Sequence, residues 1–78
     1  MSKFKVGDRV IGIKNIYECG IKFPIRNCVG TIKCIYEDGD ILIDFDNKVE
    51  RGWKSKNFNI EEGHGLFVKE YNIDFYTE

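Results

Sequence analysis

The chain has 78 residues and a formal net charge of −1, with 42% apolar, 32% charged and 14% aromatic residues. That length makes one domain, residues 1–78, with a thin core, and the mixture is globular, not disordered. The charge balance excludes an overall basic excess of the kind that neutralises a phosphate backbone, though it leaves a local patch open.

Met1-Ser2-Lys3-Phe4-Lys5 lacks the apolar run of a signal peptide. No stretch approaches the ~18 consecutive apolar residues that span a membrane. A cytoplasmic protein is therefore expected. The first predicted strand runs from about Arg9 to Lys14, after the turn signal Gly7-Asp8. Period two puts Val10 and Gly12 on one face and Ile11 and Ile13 on the other, so a loop is expected to cover the outer face. Residues 15–27 follow as a long loop with Gly20 and Pro24 inside it. Its Tyr17, Ile21, Phe23 and Ile25 make it a lid over the core or, in an alternative reading, partly a further strand.

The second strand is predicted over about Val29 to Tyr36. Ile32, Cys34 and Tyr36 share one face, and Thr31, Lys33 and Ile35 the other. Glu37-Asp38-Gly39-Asp40 makes a tight hairpin, because Asp-Gly supplies the positive φ of such turns. The third strand, Ile41 to Asp46, points Ile41, Ile43 and Phe45 one way and Leu42, Asp44 and Asp46 the other. Asn47 to Gly63 is a second long excursion, closed by Gly63-His64-Gly65. A short fourth strand, Leu66 to Lys69, leads through a 3₁₀ turn at Glu70-Tyr71-Asn72 to a closing strand at Ile73-Asp74-Phe75-Tyr76. No sustained i, i+3, i+4, i+7 pattern predicts a long helix.

Four tyrosines, six phenylalanines and one tryptophan are enough to fill a small core, and are expected mostly there. Cys19, Cys28 and Cys34 are an odd set with wide gaps, and the single histidine, His64, lies far along the chain. Three plain thiols, with Cys34 in the core, are favoured over a disulfide framework or a Cys₃His zinc site. No metal and no cofactor are expected.

Five short antiparallel strands, a long loop after the first, a tight hairpin between the second and third and a 3₁₀ turn before the last resemble a single all-β SH3-like barrel. Gly7-Asp8-Arg9-Val10 followed by Val29-Gly30-Thr31-Ile32 resembles the opening of KOW and Tudor-like domains. Gly30-Thr31-Ile32, Ile43-Asp44-Phe45-Asp46-Asn47 and Gly63-His64 are similar to the mind bomb-type SH3-like domain. The resemblance covers about Val6 to Phe75. The basic and aromatic contact positions of KOW domains are not recognisable, and the Asp-Trp pair of mind bomb-type domains is absent. The resemblance thus implies a fold and no ligand. The Ile43-Asp44-Phe45-Asp46 strand with the later Gly63-His64-Gly65 also resembles short orphan proteins of bacteriophages and mobile elements, which are often inhibitors of host systems.

Asp44 and Asp46 leave one face of a strand, as an outward polar face or, with a third ligand, a cation site. His64 between two glycines reads as a turn histidine before it reads as a general base. Arg51-Gly52-Trp53-Lys54-Ser55-Lys56-Asn57-Phe58 interleaves basic and aromatic residues. Trp53 either plugs one end of the barrel or contacts a partner, and the same mixture could hold a nucleic acid. The resemblance implies a groove between the long first loop and the far end of the sheet. The expected contact set is therefore Arg51, Trp53, Lys54, Lys56, Phe58 and His64, with Tyr17, Phe23 and Arg26. The expected function is a non-enzymatic protein-binding module without catalytic residues, a phage-borne inhibitor of a host or defence protein being one form of it. The alternative is a nucleic-acid or nucleotide-binding small barrel of the KOW, Tudor or Sm kind. Self-association through exposed strand edges is a further arrangement.

Overall fold

A computed structural model describes residues 3–77. Their strands are β1 (Arg9–Gly12), β2 (Ile16–Glu18), β3 (Ile21–Phe23), β4 (Val29–Ile35), β5 (Asp40–Phe45), β6 (Trp53–Ser55), β7 (Ile60–Lys69) and β8 (Ile73–Phe75). A 3₁₀ turn, Glu70–Asn72, precedes β8. Six strands form one antiparallel sheet in the order β6-β7-β5-β4-β1-β8, and β2 and β3 form a separate two-stranded arm.

The best-specified unit is the β4–β5 hairpin. Gly39 takes a φ of 95°, Asp38 Oδ1 accepts the Asp40 N–H at 3.0 Å, and the Tyr36 N–H donates to the Asp40 carbonyl at 2.8 Å. Ile41, Ile43 and Phe45 then point into the core, as period two predicts. They meet Phe4, Val10, Ile25, Ile32, Val49, Leu66, Val68 and Ile73 there. Burying each large side chain contributes about 1.5–3 kcal/mol. This is the main stabilising term in so small a sheet.

Several expectations are corrected. The β4–β5 ladder pairs Ile32 with Ile43 and then Cys34 with Leu42, so a bulge at Lys33 shifts the register. Beyond a bulge the two faces exchange. Ile35, not Cys34, therefore packs against the core, and Cys34 is half-buried beside Leu42 on the outer face. Leu42, expected among polar residues, is only 1% exposed. The aromatic core is also a correction. Phe4 and Phe45 are the only fully buried rings among the described residues, because isoleucines at 25, 32, 41, 43 and 73 fill the space. Tyr17, Tyr36, Phe67, Tyr71 and Phe75 are exposed. Ile13 lies beyond the end of β1 and is exposed, so no loop covers it.

The long first loop is the β2–β3 arm. Glu18 pairs with Ile21, leaving Cys19 and Gly20 as a two-residue turn with φ of 50° and 76°. Positive φ at both central positions is the hairpin turn that Asn-Gly normally signals. A cysteine in the left-handed region is strained by roughly 1–2 kcal/mol, and asparagine less. Cys19→Asn should accordingly raise the urea midpoint, by up to about 1 kcal/mol of stability. A lower midpoint would contradict this turn.

The second excursion is also structured. Gly63-His64-Gly65 does not close a loop but lies within β7. That strand pairs from Gly65 to Lys69 with β5 and, across a bulge, pairs Gly65 and Ile60 with Trp53 and Ser55 of β6. Bare Gly65 makes this close packing feasible, since a Cβ there would lie 2.9 Å from the Trp53 carbonyl and 3.0 Å from Ile60.

The six-stranded sheet does not close into a barrel. β6 and β8 are its two edges, with no ladder between them. Bonds from the Ile13 N–H to the Asn72 carbonyl and from the Tyr76 N–H to the Arg9 carbonyl face β1. The N–H groups of Ile73 and Phe75, turned the other way, are satisfied locally by the Glu70 carbonyl and by Asp74 Oδ1 at 2.8 Å. Such an edge has few free donors with which to recruit another strand. Asp74→Ala frees the Phe75 N–H and removes a charge. In sedimentation velocity the variant should self-associate at lower concentration than the parent protein, and equal behaviour would count against edge protection. Phe4 packs beside Phe75, with ring centroids 4.7 Å apart, and Lys3 reaches Asp74 at 3.7 Å.

Candidate functional site

The arm stands against the β6–β7 side of the sheet. Its base is fixed: Asn15 Oδ1 accepts the Arg26 N–H at 3.0 Å, Asn27 donates to the Gly12 carbonyl at 2.8 Å, and Ile25 is wholly buried. Ile16 and Phe23 pack it on the core. Its outer face carries Tyr17, 69% exposed.

Two hollows result. One, of about 450 Å³, runs between the arm, the end of β7 and the 3₁₀ turn, and Lys14, Tyr17, Glu18, Phe67 and Tyr71 help to line it. Lys14 Nζ lies 4.9 Å from the centre of the Tyr71 ring, a cation–π contact. Lys69, at the same hollow, is ion-paired with Asp40, which holds the ammonium above its ordinary range. The second hollow, of about 310 Å³, lies between the arm and β6–β7. Ile16, Phe23, Trp53, Leu66 and Phe67 supply apolar walls, and Glu18 and Arg51 stand on its lining. Phe67 touches both hollows and links their rings. Its centroid is 5.0 Å from Trp53 and 5.7 Å from Tyr36, in tilted and edge-on arrangements that aromatic pairs favour.

Of the residues expected at a contact surface, Phe23, Arg51 and Trp53 share the smaller hollow and Tyr17 lines the larger. Trp53 is half-buried against the core and also lines the smaller hollow. Lys54, Lys56, Phe58, Arg26 and His64 line neither hollow. Lys54, Lys56 and Arg26 are exposed elsewhere and Phe58 is half-buried. His64 Nδ1 lies 2.7 Å from the Phe45 carbonyl. A carbonyl only accepts, so Nδ1 carries the proton and the ring ties β7 to the end of β5.

Phe67, Tyr71, Glu18 and Ile16 were not expected. Phe67 was legible, since alternation within Leu66-Phe67-Val68 turns it away from two core residues. Tyr71 and Glu18 had no such signal, because their places depend on the arm.

Asp46 is engaged by Arg9, whose guanidinium donates to both carboxylate oxygens at 2.8 and 2.6 Å and to Thr31 at 3.0 Å. Arg9 holds the Asp46 carboxyl below its usual range. No group of three His, Cys, Asp or Glu side chains placed to hold a metal occurs among the described residues. A depressed carboxyl stabilises the fold above its unfolded value, near about 4, and the effect is lost as pH falls through the lower folded value. Both partners are well exposed, at 38% and 47%, so solvent screening keeps the contribution below about 1 kcal/mol. Urea titrations of the parent protein and Asp46→Asn should therefore differ at pH 7 and converge near pH 2. A difference that persists in acid would refute this assignment.

Cys28 is pushed up by burial, and Tyr36 by its bond with Cys34. The three thiols are free. No family model, curated protein or solved structure matches this chain.

Proposed function

We propose that this chain is a non-enzymatic protein-binding module, SH3-like in layout, that meets its partner on the face between the β2–β3 arm and β7. One observation carries the reading. Three exposed rings, Tyr17, Phe67 and Tyr71, gather around one hollow. Exposed apolar clusters of this kind mark interaction surfaces, and tyrosines supply contact area with a polar end. Both lysines beside them are already engaged, Lys69 by Asp40 and Lys14 by the Tyr71 ring, and the lone carboxylate of Glu18 makes no acid–base constellation with them, which favours binding over chemistry. The SH3-like layout is supported by the arm after β1, the tight β4–β5 turn and the 3₁₀ turn before β8. The nucleic-acid alternative rests on exposed Lys48, Arg51, Lys54 and Lys56, but Glu50, Glu61 and Glu62 interrupt that surface.

The test compares immobilised parent protein with a Tyr17→Ala/Phe67→Ala/Tyr71→Ala variant in bacterial lysate, with the variant's fold checked by circular dichroism. A partner retained by the first and reduced at least about tenfold by the second supports the reading. Equal capture, or none, overturns it. Labelled RNA bound at low salt and released at high salt would favour the alternative instead.

A further inference from the structure

The smaller hollow differs in chemistry from the larger. Ile16, Phe23, Trp53, Leu66 and Phe67 form its walls. Leu66 is only 5% exposed, so the hollow reaches down to the core. At about 310 Å³ it sits at the low end of small-molecule sites. That suits one side chain better than a cofactor. One wall is stiffened by the Trp53–Phe67 contact, and the opposite wall belongs to the arm.

Two charged groups of opposite sign complete it. Glu18 comes from β2, and Arg51 from the turn before β6, where it is held at a φ of 66°. Both are exposed and both line the hollow. Neither has an ion pair or a side-chain hydrogen bond among the described residues, and they do not pair with each other. An apolar hollow bordered by an unpaired carboxylate and an unpaired guanidinium is complementary to an apolar group carrying opposite charges on its two sides.

Building on the proposed function, we infer that this hollow seats one bulky apolar side chain of an extended partner segment, with a basic neighbour meeting Glu18 and an acidic neighbour meeting Arg51. The apolar anchor supplies affinity by leaving water. The two charges set the direction in which the segment lies, because a reversed segment would place like charges together.

Capped pentapeptides test this directly, with a central phenylalanine between lysine and aspartate in both orders. Controls carry alanine at the centre, two lysines, or two aspartates. Binding is followed by amide and indole resonances of the labelled protein. One order should bind with a dissociation constant of about 1 mM or tighter, and should shift Phe23, Trp53 and Phe67. The alanine peptide should bind at least about tenfold more weakly. Glu18→Gln and Arg51→Gln should each weaken the favoured order by about threefold or more and reduce the preference between orders. No saturable shift up to about 10 mM peptide, shifts confined to other surfaces, or affinity indifferent to the central residue or to both charges would overturn the inference. The wider reading is judged separately. A lysate partner that tolerates Glu18→Gln and Arg51→Gln but is lost with the three-ring variant would leave the binding module standing and remove this anchor.

Discussion

Gly12→Ala is expected to destabilise the protein by about 3 kcal/mol or more, at or above the upper end of overpacking effects. A Cβ at this position would lie 2.1 Å from the Ile25 carbonyl oxygen and 2.8 Å from its carbon. Neither side can yield cheaply. The Gly12 N–H donates to the Cys28 carbonyl at 2.9 Å, its own carbonyl accepts from Asn27 at 2.8 Å, and the Ile25 side chain is completely enclosed. Relief must break those bonds or lift Ile25 out of the core. A chain of this size has only about 4–12 kcal/mol in total. The variant should show a much lower urea midpoint, and a midpoint close to that of the parent would mean the crossing is looser than described. The same crossing anchors the arm, so partner binding should fall with it.

Phe45→Ala is expected to cost about 3–5 kcal/mol, the range for emptying a buried aromatic site. Phe45 is 1% exposed, on the strand that lies between β4 and β7. Its neighbours cannot collapse into the vacancy, because Gly30 is already tight against the Phe45 backbone and His64 is bonded to its carbonyl. Phe67→Ala is the natural contrast. Phe67 is 41% exposed and lies on the outer face of the sheet, so its loss should leave a folded protein, with a cost nearer about 1 kcal/mol. Thermal unfolding of the two variants side by side gives the comparison. If Phe45→Ala unfolded no more readily than Phe67→Ala, the placement of the core would be wrong.

Those contrasts follow the divide between what could and could not be read in the residues. Ile41, Ile43 and Phe45 were legible because alternation is local and Asp38-Gly39 fixes the turn before them. The 3₁₀ turn and β8 were legible for similar reasons. Cys34 was not, because a single bulge at Lys33 exchanges the faces and leaves no local mark. The arm was obscured by Cys19-Gly20, a turn pair whose first member disfavours the conformation it adopts. β6 was obscured because its three residues, Trp53-Lys54-Ser55, hold a single apolar side chain and so show no alternation. The protection of the β8 edge depends on a hydrogen bond that Asp74 Oδ1 accepts from the neighbouring Phe75 N–H, which strand periodicity does not encode. At the candidate site, Arg51, Trp53, Phe23 and Tyr17 were legible from residue type. Phe67 needed the correct facing of β7, and Glu18 and Tyr71 needed the arm.

The contact of Phe4 with Phe75 has a consequence for connectivity. It places the start of the described chain beside its finish, across one short span of surface. The order of the elements is therefore separable from their arrangement. A short bridge across that span, with fresh ends cut at the exposed Cys19-Gly20 tip, gives a circularly permuted chain in which β4, β5 and β7 keep every partner they have now.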